Sequence, residues 1–217
     1  MKLIRRITIF LGLLGSAYAQ TTIVNYTFEN TTVATVGSSL SSISWNSGAS
    51  PGYAGTFTSQ GQALSIGNMA SGNSFQITLN ASGFENIVLN DFRINGTAAA
   101  PLTWQLSYSL TGAAGTFTGV SPFTLNSGIS AGVTTVTGFA LPAGANNNGS
   151  IVISFLATTA TKISGTGSAS GTLHLDNLSF TATAIPEPAT YSVLIAAITL
   201  GFILFQRIRR RSSGPPL

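Results

Sequence analysis

The chain of 217 residues holds one histidine and no cysteine. That inventory decides most of its chemistry: a cysteine nucleophile is ruled out, and so is a zinc site built from several histidines. A serine nucleophile would have to use His174, which stands two positions before Asp176 in Leu173-His174-Leu175-Asp176-Asn177-Leu178. On a strand, residues i and i+2 share a face, so the pair could touch, but no Gly-x-Ser-x-Gly turn accompanies it. His174 therefore reads as a packing residue on a partly exposed strand face. Glycosidase chemistry needs two carboxylates across a sugar-sized gap. Glu85 and Asp91, flanking Ile87–Leu89, are the nearby pair, and both read as loop or strand-end residues. Asp91 and Arg93 fall at i and i+2, an ion pair of small weight at a surface. The expectation is a protein that is not an enzyme.

Sugar binding fits the side chains better. Trp45, Tyr53, Phe57, Trp104 and Tyr108 are aromatics able to stack on a pyranose ring, among abundant Asn, Gln and Ser that reach hydroxyls. Trp104 and Tyr108 share a strand face with Leu106 and read as core. Trp45 and Tyr53, in a polar stretch, are the candidates for sugar stacking.

The elements that position these residues are strands. Trp104, Leu106, Tyr108 and Leu110 alternate with Gln105, Ser107 and Ser109, the period of two that marks a half-buried strand. Thr111–Gly115 supplies a hairpin loop before Thr116-Phe117-Thr118. Ile23–Phe28, Ala63–Ile66, Ser74–Leu79, Ile87–Ile94, Thr134–Leu141, Ser150–Ala157 and Leu173–Ala182 are further strands. Residues 20–185 are thus expected to form one all-β domain, an antiparallel β-sandwich of jelly-roll type. Val36–Gly61, almost all small and polar, is expected as a long loop with at most one short strand. Ser164–Gly171 reads as a flexible connection.

The two ends of the chain are different in kind. Lys2, Arg5 and Arg6, the apolar run Ile7–Leu14 and Ala17-Tyr18-Ala19 make residues 1–19 a signal peptide, with signal peptidase as a partner. No cysteine follows the cut, so the protein is not a lipoprotein. At the other end, Ala189–Phe205 is a run of 17 residues without charge, followed by Gln206, Arg207, Arg209, Arg210 and Arg211. As a helix it would extend ~25 Å, the short end of what spans a bilayer, with the arginines on the cytoplasmic side. A transmembrane helix is expected over 189–206 and a disordered tail over 212–217. These ends carry most of the positive charge. Residues 20–185 keep Arg93 and Lys162 against Glu29, Glu85, Asp91 and Asp176, a net of −2. The sequence pI of about 9.9 thus reports topology, and nucleic-acid binding loses its support.

Pro186-Glu187-Pro188, the apolar segment and the Arg207–Arg211 cluster together resemble the PEP-CTERM sorting signal of exported bacterial proteins. The resemblance covers 186–211 and implies an exosortase-type partner at the inner membrane, which processes the tail and releases the body outward. The expected role is that of an exported cell-surface or matrix protein associated with exopolysaccharide; a lectin-like carbohydrate-binding module is the alternative, and a hydrolase a distant third. A second resemblance lies in the body. The final strand around Leu175-Asp176-Asn177, taken with the opening strand Val24–Glu29, is similar to jelly-roll carbohydrate-binding modules. That likeness implies a structural calcium ion at Glu29 and Asp176; no other cofactor is expected. An aspartate interrupting Leu173, Leu175, Leu178 and Phe180 is costly if unpaired, and hard oxygen ligands suit calcium. The alternative is that Asp176 bonds backbone amides at a bulge where the alternation shifts phase.

Overall fold

The structure is a computed structural model that describes residues 19–55, 61–126, 133–186 and 188–212. The expected signal peptide falls on 1–18, outside the described residues, as do Phe57, Glu187 and the side chains of Arg209, Arg210 and Arg211. The chain divides into two compact units that part between Ala184 and Ile185.

In chain order the first unit contains β1 (Thr21–Tyr26), β2 (Ser41–Trp45), β3 (Pro51–Gly55), β4 (Gln62–Met69), β5 (Ser74–Leu79), β6 (Phe84–Leu89) and β7 (Phe92–Gly96). There follow β8 (Thr103–Ser109), β9 (Thr118–Thr124), β10 (Thr134–Val136), β11 (Phe139–Ala140), β12 (Ile151–Ala157), β13 (Gly171–Asp176) and β14 (Leu178–Ala184). The strands make three sheets, in the orders β1-β14-β6-β11, β10-β7-β13-β4-β3 and β2-β5-β12-β8-β9. Every pairing between these strands is antiparallel. The fold is therefore all-β, as the alternation predicts.

Three segments expected as single strands are each two. Ile87–Ile94 breaks at Asn90-Asp91, Thr134–Leu141 at Thr137-Gly138 and Leu173–Ala182 at Asn177. At these breaks the chain passes from one sheet into the next, so the first two sheets continue one another along the strands. Asn177 makes its break with a left-handed backbone, φ 54°, a conformation that asparagine tolerates. Gly138 sits so close to the Leu89 carbonyl and the Asn90 backbone that a side chain would collide with both.

The polar stretch Val36–Gly61 holds two strands, β2 and β3, where at most one was expected. Ser41-Ser42-Ile43-Ser44-Trp45 alternates, and its backbone is satisfied by pairing with β5 over Ser41↔Leu79 to Trp45↔Phe75. Edge strands need little apolar area, and Ile43, Trp45 and Tyr53 supply it by packing partly against the core. The hairpin after β8 also differs: its second strand starts at Thr118 rather than Thr116 and carries Pro122, tolerated because β9 is an edge.

One continuous cluster of buried side chains joins the sheets. Phe155 of β12 lies 5.7 Å from Phe75 of β5 and 5.1 Å from Phe92 of β7, the latter edge-on at 80°. The second contact links the five-stranded β2 sheet to the sheet opposite, so the core is that of a sandwich. Trp104 is fully buried and donates its indole N–H to the Pro101 carbonyl at 2.9 Å. Tyr108 is half-buried beside Phe139.

The second unit holds α1, Pro188–Ser212, 25 residues long. It starts at a proline, which suits the first helical turn, and continues past the expected end at Gln206 because arginine is a good helix former. Ile195, Ile198, Leu200, Phe202, Ile203, Leu204 and Phe205 are all exposed. Among the described residues no helix is long and apolar enough to cross a membrane.

Truncating the residue that links the facing sheets should cost the most. Phe155→Ala is expected to lower unfolding free energy by about 3–5 kcal/mol in a urea titration, and Leu156→Ala, one position along on the outer face, by well under half of that.

Candidate functional site

The polar faces of the sandwich differ in their chemistry. On the β2 sheet, Trp45 ends its strand beside Ser44 and Asn46, and with Ser74 and Gln76 of the neighbouring β5 these residues line a shallow hollow of about 220 Å³. The hollow is rigid on two sides. The Trp45 indole N–H donates to the Ala49 carbonyl at 2.7 Å, and the Asn46 carboxamide oxygen accepts from the Ser74 amide at 2.7 Å. The Gln76 side chain has no hydrogen-bond partner among the described residues, leaving a donor and an acceptor for a ligand. Trp45 pairs with Phe75 and packs partly against the core, so the hollow offers mainly the unengaged amide and hydroxyl groups of Gln76 and Ser44, the kind of polar group that fixes a sugar's hydroxyls.

Tyr53, the other expected stacking residue, is placed elsewhere. It lies on β3, opposite Leu64 of β4, so the two aromatics belong to edge strands of different sheets. Both pack partly against the core.

The charged groups gather at the other end of the chemistry. Glu29 follows β1, and both its carboxylate oxygens accept from the Gln62 amide, at 3.1 and 3.2 Å. Gly61, left-handed at φ 88°, leaves the space the Glu29 carboxylate fills; a Cβ there would overlap it. Asp176 is 1% exposed. Because Leu175 pairs with Leu64, Asp176 stands beside that same start of β4. Its two oxygens accept from the Asn177 backbone N–H at 2.8 Å and side-chain N–H at 2.9 Å. The expected bonding of Asp176 to a backbone amide at a phase shift is thus present.

Burial pushes the Asp176 carboxyl up to about 6, with the Asn177 amide pulling it down, the Glu29 carboxylate raising it further and Arg93 lowering it. A buried aspartate whose proton affinity is raised by a neighbouring carboxylate, with that carboxylate seated on a cradle that only glycine permits, makes a donor pair that fits a hard cation. Among the described residues no three His, Cys, Asp or Glu side chains group to hold a metal. A calcium ion at Glu29 and Asp176 would have to draw its remaining ligands from backbone carbonyls and water.

His174 is buried at 4% exposure, not partly exposed, on the face turned away from Leu173 and Leu175. Burial lowers its pKa, and neither ring nitrogen has a hydrogen-bond partner. Its strand neighbours are Ser65 and Asn95, so serine, histidine and aspartate are brought near one another without the hydrogen bonds a triad requires. Asp91 accepts from the Gly138 amide at 2.7 Å, a structural bond that secures the β10–β11 break, while Glu85 lies within β6. The gathered pair of acids is Glu29 and Asp176, not Glu85 and Asp91.

No protein-family model matches the sequence, and no curated protein does. Solved structures do match. The N-terminal CBM22-1-CBM22-2 tandem domain of Xyn10C from Paenibacillus barcinonensis aligns over 80% of this chain at 12% identity and a TM-score of 0.52. This chain spans 48% of that tandem. The likeness is one of fold. The K2 cleaved adhesin domain of Lys-gingipain (18% identity, 76% of this chain and 99% of that one, TM-score 0.44) and the xylan-binding module CBM15 (11%, 78% and 100%, 0.42) align less well.

The hollow sets Trp45 beside Gln76, Ser74 and Asn46, and Glu29 rests against Gly61; none of Gln76, Ser74, Asn46 and Gly61 is singled out by the sequence. Polar alternation in Ser74-Phe75-Gln76 was visible; its pairing with β2 was not, because that pairing depends on a strand inside a stretch too polar to announce one.

The acidic pair gives a pH signature. A folded Asp176 holds its proton to about pH 6, against the 3.8 of an ordinary aspartate. The folded state therefore binds more protons between those values, and without a cation stability falls as pH rises from about 4 to 6. Calcium should raise the melting temperature above pH 6 and flatten that slope, and Asp176→Asn should remove both effects. Melting curves against pH, with calcium or chelator, check this; superimposable curves would leave Asp176 as a backbone-bonding residue alone.

Proposed function

We propose that this chain is a non-enzymatic, exported carbohydrate-binding module acting at the cell surface or in a polysaccharide matrix. The observation that carries the reading is the hollow at the β2–β5 edge, lined by Ser44, Trp45, Asn46, Ser74 and Gln76, where the Gln76 amide is unengaged. Support comes from a fold shared with a tandem of carbohydrate-binding modules and from a body poor in charge. Calcium at Glu29 and Asp176 serves stability in this reading, tying the exit of β1 to β4, and takes no part in ligand contact. A purely structural role in the matrix is the second reading, favoured by the many hydroxyl and amide side chains of the body.

Affinity electrophoresis in gels cast with soluble polysaccharides tests the first. Trp45→Ala should weaken binding by about tenfold or more, equivalent to 1.4 kcal/mol, whereas Tyr53→Ala should leave it within about twofold. Equal retardation of native protein and Trp45→Ala would reject the hollow as the site.

Delivery is assigned to the tail. Pro186-Glu187-Pro188 leads into α1, which begins at the second of these prolines, and an exosortase-type enzyme is the proposed partner. A plain anchor depends on apolar length and flanking charge; a processed signal depends on the triplet. Pro186→Ala with Glu187→Gln should block removal of the tail while membrane association persists. Mass spectrometry of the mature surface protein should find no peptide from Arg207–Arg211, and recovery of such peptides would leave an anchored protein instead.

A further inference from the structure

We infer that the ligand is a neutral glycan chain that runs from the Trp45 hollow across the outer face of the β2-β5-β12-β8-β9 sheet, held by hydroxyl and amide side chains without an aromatic platform. The inference rests on the carbohydrate-binding reading and extends it from one hollow to a path and a ligand class.

Strand register lays out the path. Ser44 pairs with Gln76, Gln76 with Ser154, Ser154 with Ser107 and Ser107 with Gly119, so one outer-face row crosses all five strands. Ser154 and Ser107 within it are buried, and the accessible contacts are Ser44 and Gln76 at one end and Leu156, Gln105 and Pro122 of the flanking row. On one side of it runs Ser42, Thr78, Val152 and Ser109, and on the other Ser74, Leu156, Gln105 and Pro122. Alternate residues, among them Phe75, Ile77, Ile153, Phe155, Trp104 and Leu106, fill the core, which fixes these rows on the outer face. Four inter-strand steps of ~4.8 Å make the row ~19 Å long, the reach of a short oligosaccharide. The hollow lies at its β2 end.

Charge decides the ligand class. None of the five strands contains Asp, Glu, Lys or Arg. The charges of residues 20–185 lie elsewhere: Glu85 in β6, Arg93 in β7, Asp176 in β13, and Glu29, Asp91 and Lys162 in connections. An acidic polymer would find no cation on this face, and a basic one no anion. Hydrogen-bonding capacity is open instead. Ser42, Ser44, Gln76 and Thr78 have no side-chain partner among the described residues, and Gln105 spends one N–H on the Leu106 carbonyl at 2.7 Å. Leu156, on the central strand, is 37% exposed between Ser74 and Gln105, an apolar contact of the size of a sugar's C–H face.

The test uses the full-length protein in native gels containing xylan or mixed-linkage β-glucan as neutral polymers and polygalacturonate as the acidic one, at low and high salt. Gln105→Ala and Leu156→Ser lie away from the hollow, and circular dichroism melts certify their folding. The expected result is retardation by a neutral polymer, insensitive to salt, and weakened about three- to tenfold by each face variant, the scale of one lost hydrogen bond or contact. If Trp45→Ala abolishes binding while both face variants bind as the native protein does, the path is overturned and the hollow stands. Salt-sensitive binding to polygalacturonate alone overturns the neutral class. Failure of the native protein to bind any of the three overturns the path and the carbohydrate reading together. Sedimentation showing a dimer that Leu156→Ser dissociates would assign the face to a second copy of the chain and overturn the inference.

Discussion

The first two sheets both depend on where the last strand segment of the body goes. Gly171–Ala184 enters as β13 between β7 and β4 and leaves as β14 between β6 and β1. Neither sheet is complete without it, and β1 pairs with a strand more than 150 residues later in sequence, Thr21 against Ala182. The segment serves both sheets because its apolar residues change phase once. Leu173 and Leu175 face the core before Asn177, and Leu178 and Phe180 after it. A strict alternation would have turned one pair toward solvent. The left-handed Asn177, held through Asp176, makes that shift. Pairing of β1 with β14 across that separation also places folding of the body in the slow, high-contact-order regime.

That same shift explains why charge and neutrality are segregated. An acid at the phase break can be buried because the next residue supplies two N–H donors, and Glu29 joins it because the exit of β1 must reach β4. The charged residues that lie within strands, Glu85, Arg93 and Asp176, are thereby all in the layer built on β13 and β14. The strands of the opposite layer carry no charged residue, and outward they present hydroxyls, amides and the apolar Leu156, which suits a ligand that presents hydroxyls and no charge.

What the sequence disclosed follows the strength of local patterning. Strongly alternating segments such as β5 and β8 lie within a residue of their expected bounds, since Phe75, Ile77, Trp104 and Leu106 leave no other face to bury. Strands broken at Asn90-Asp91, Gly138 and Asn177 were read as continuous because single-residue phase shifts leave the average alternation intact. β2 and β3 were hidden by composition, for their stability comes from backbone pairing rather than from their own side chains. Trp45, expected as an exposed aromatic, is half-buried and packs partly against the core, whereas Gln76 became a site residue only when β5 was set beside β2. The acidic pair was legible through resemblance, but Gly61, which admits Glu29, was one glycine among 24.

The central claim is that ligand meets the body at β2 and β5. Hydrogen–deuterium exchange of the full-length protein, with and without a polysaccharide that retards it in gels, addresses this without mutation. Slowed exchange should concentrate in peptides covering Ser41–Asn46 and Asn73–Thr78, with the core strands β13 and β14 unchanged. Protection confined to Gly171–Phe180 or to the Glu29–Gln62 region would place the ligand on the acidic layer and contradict the assignment.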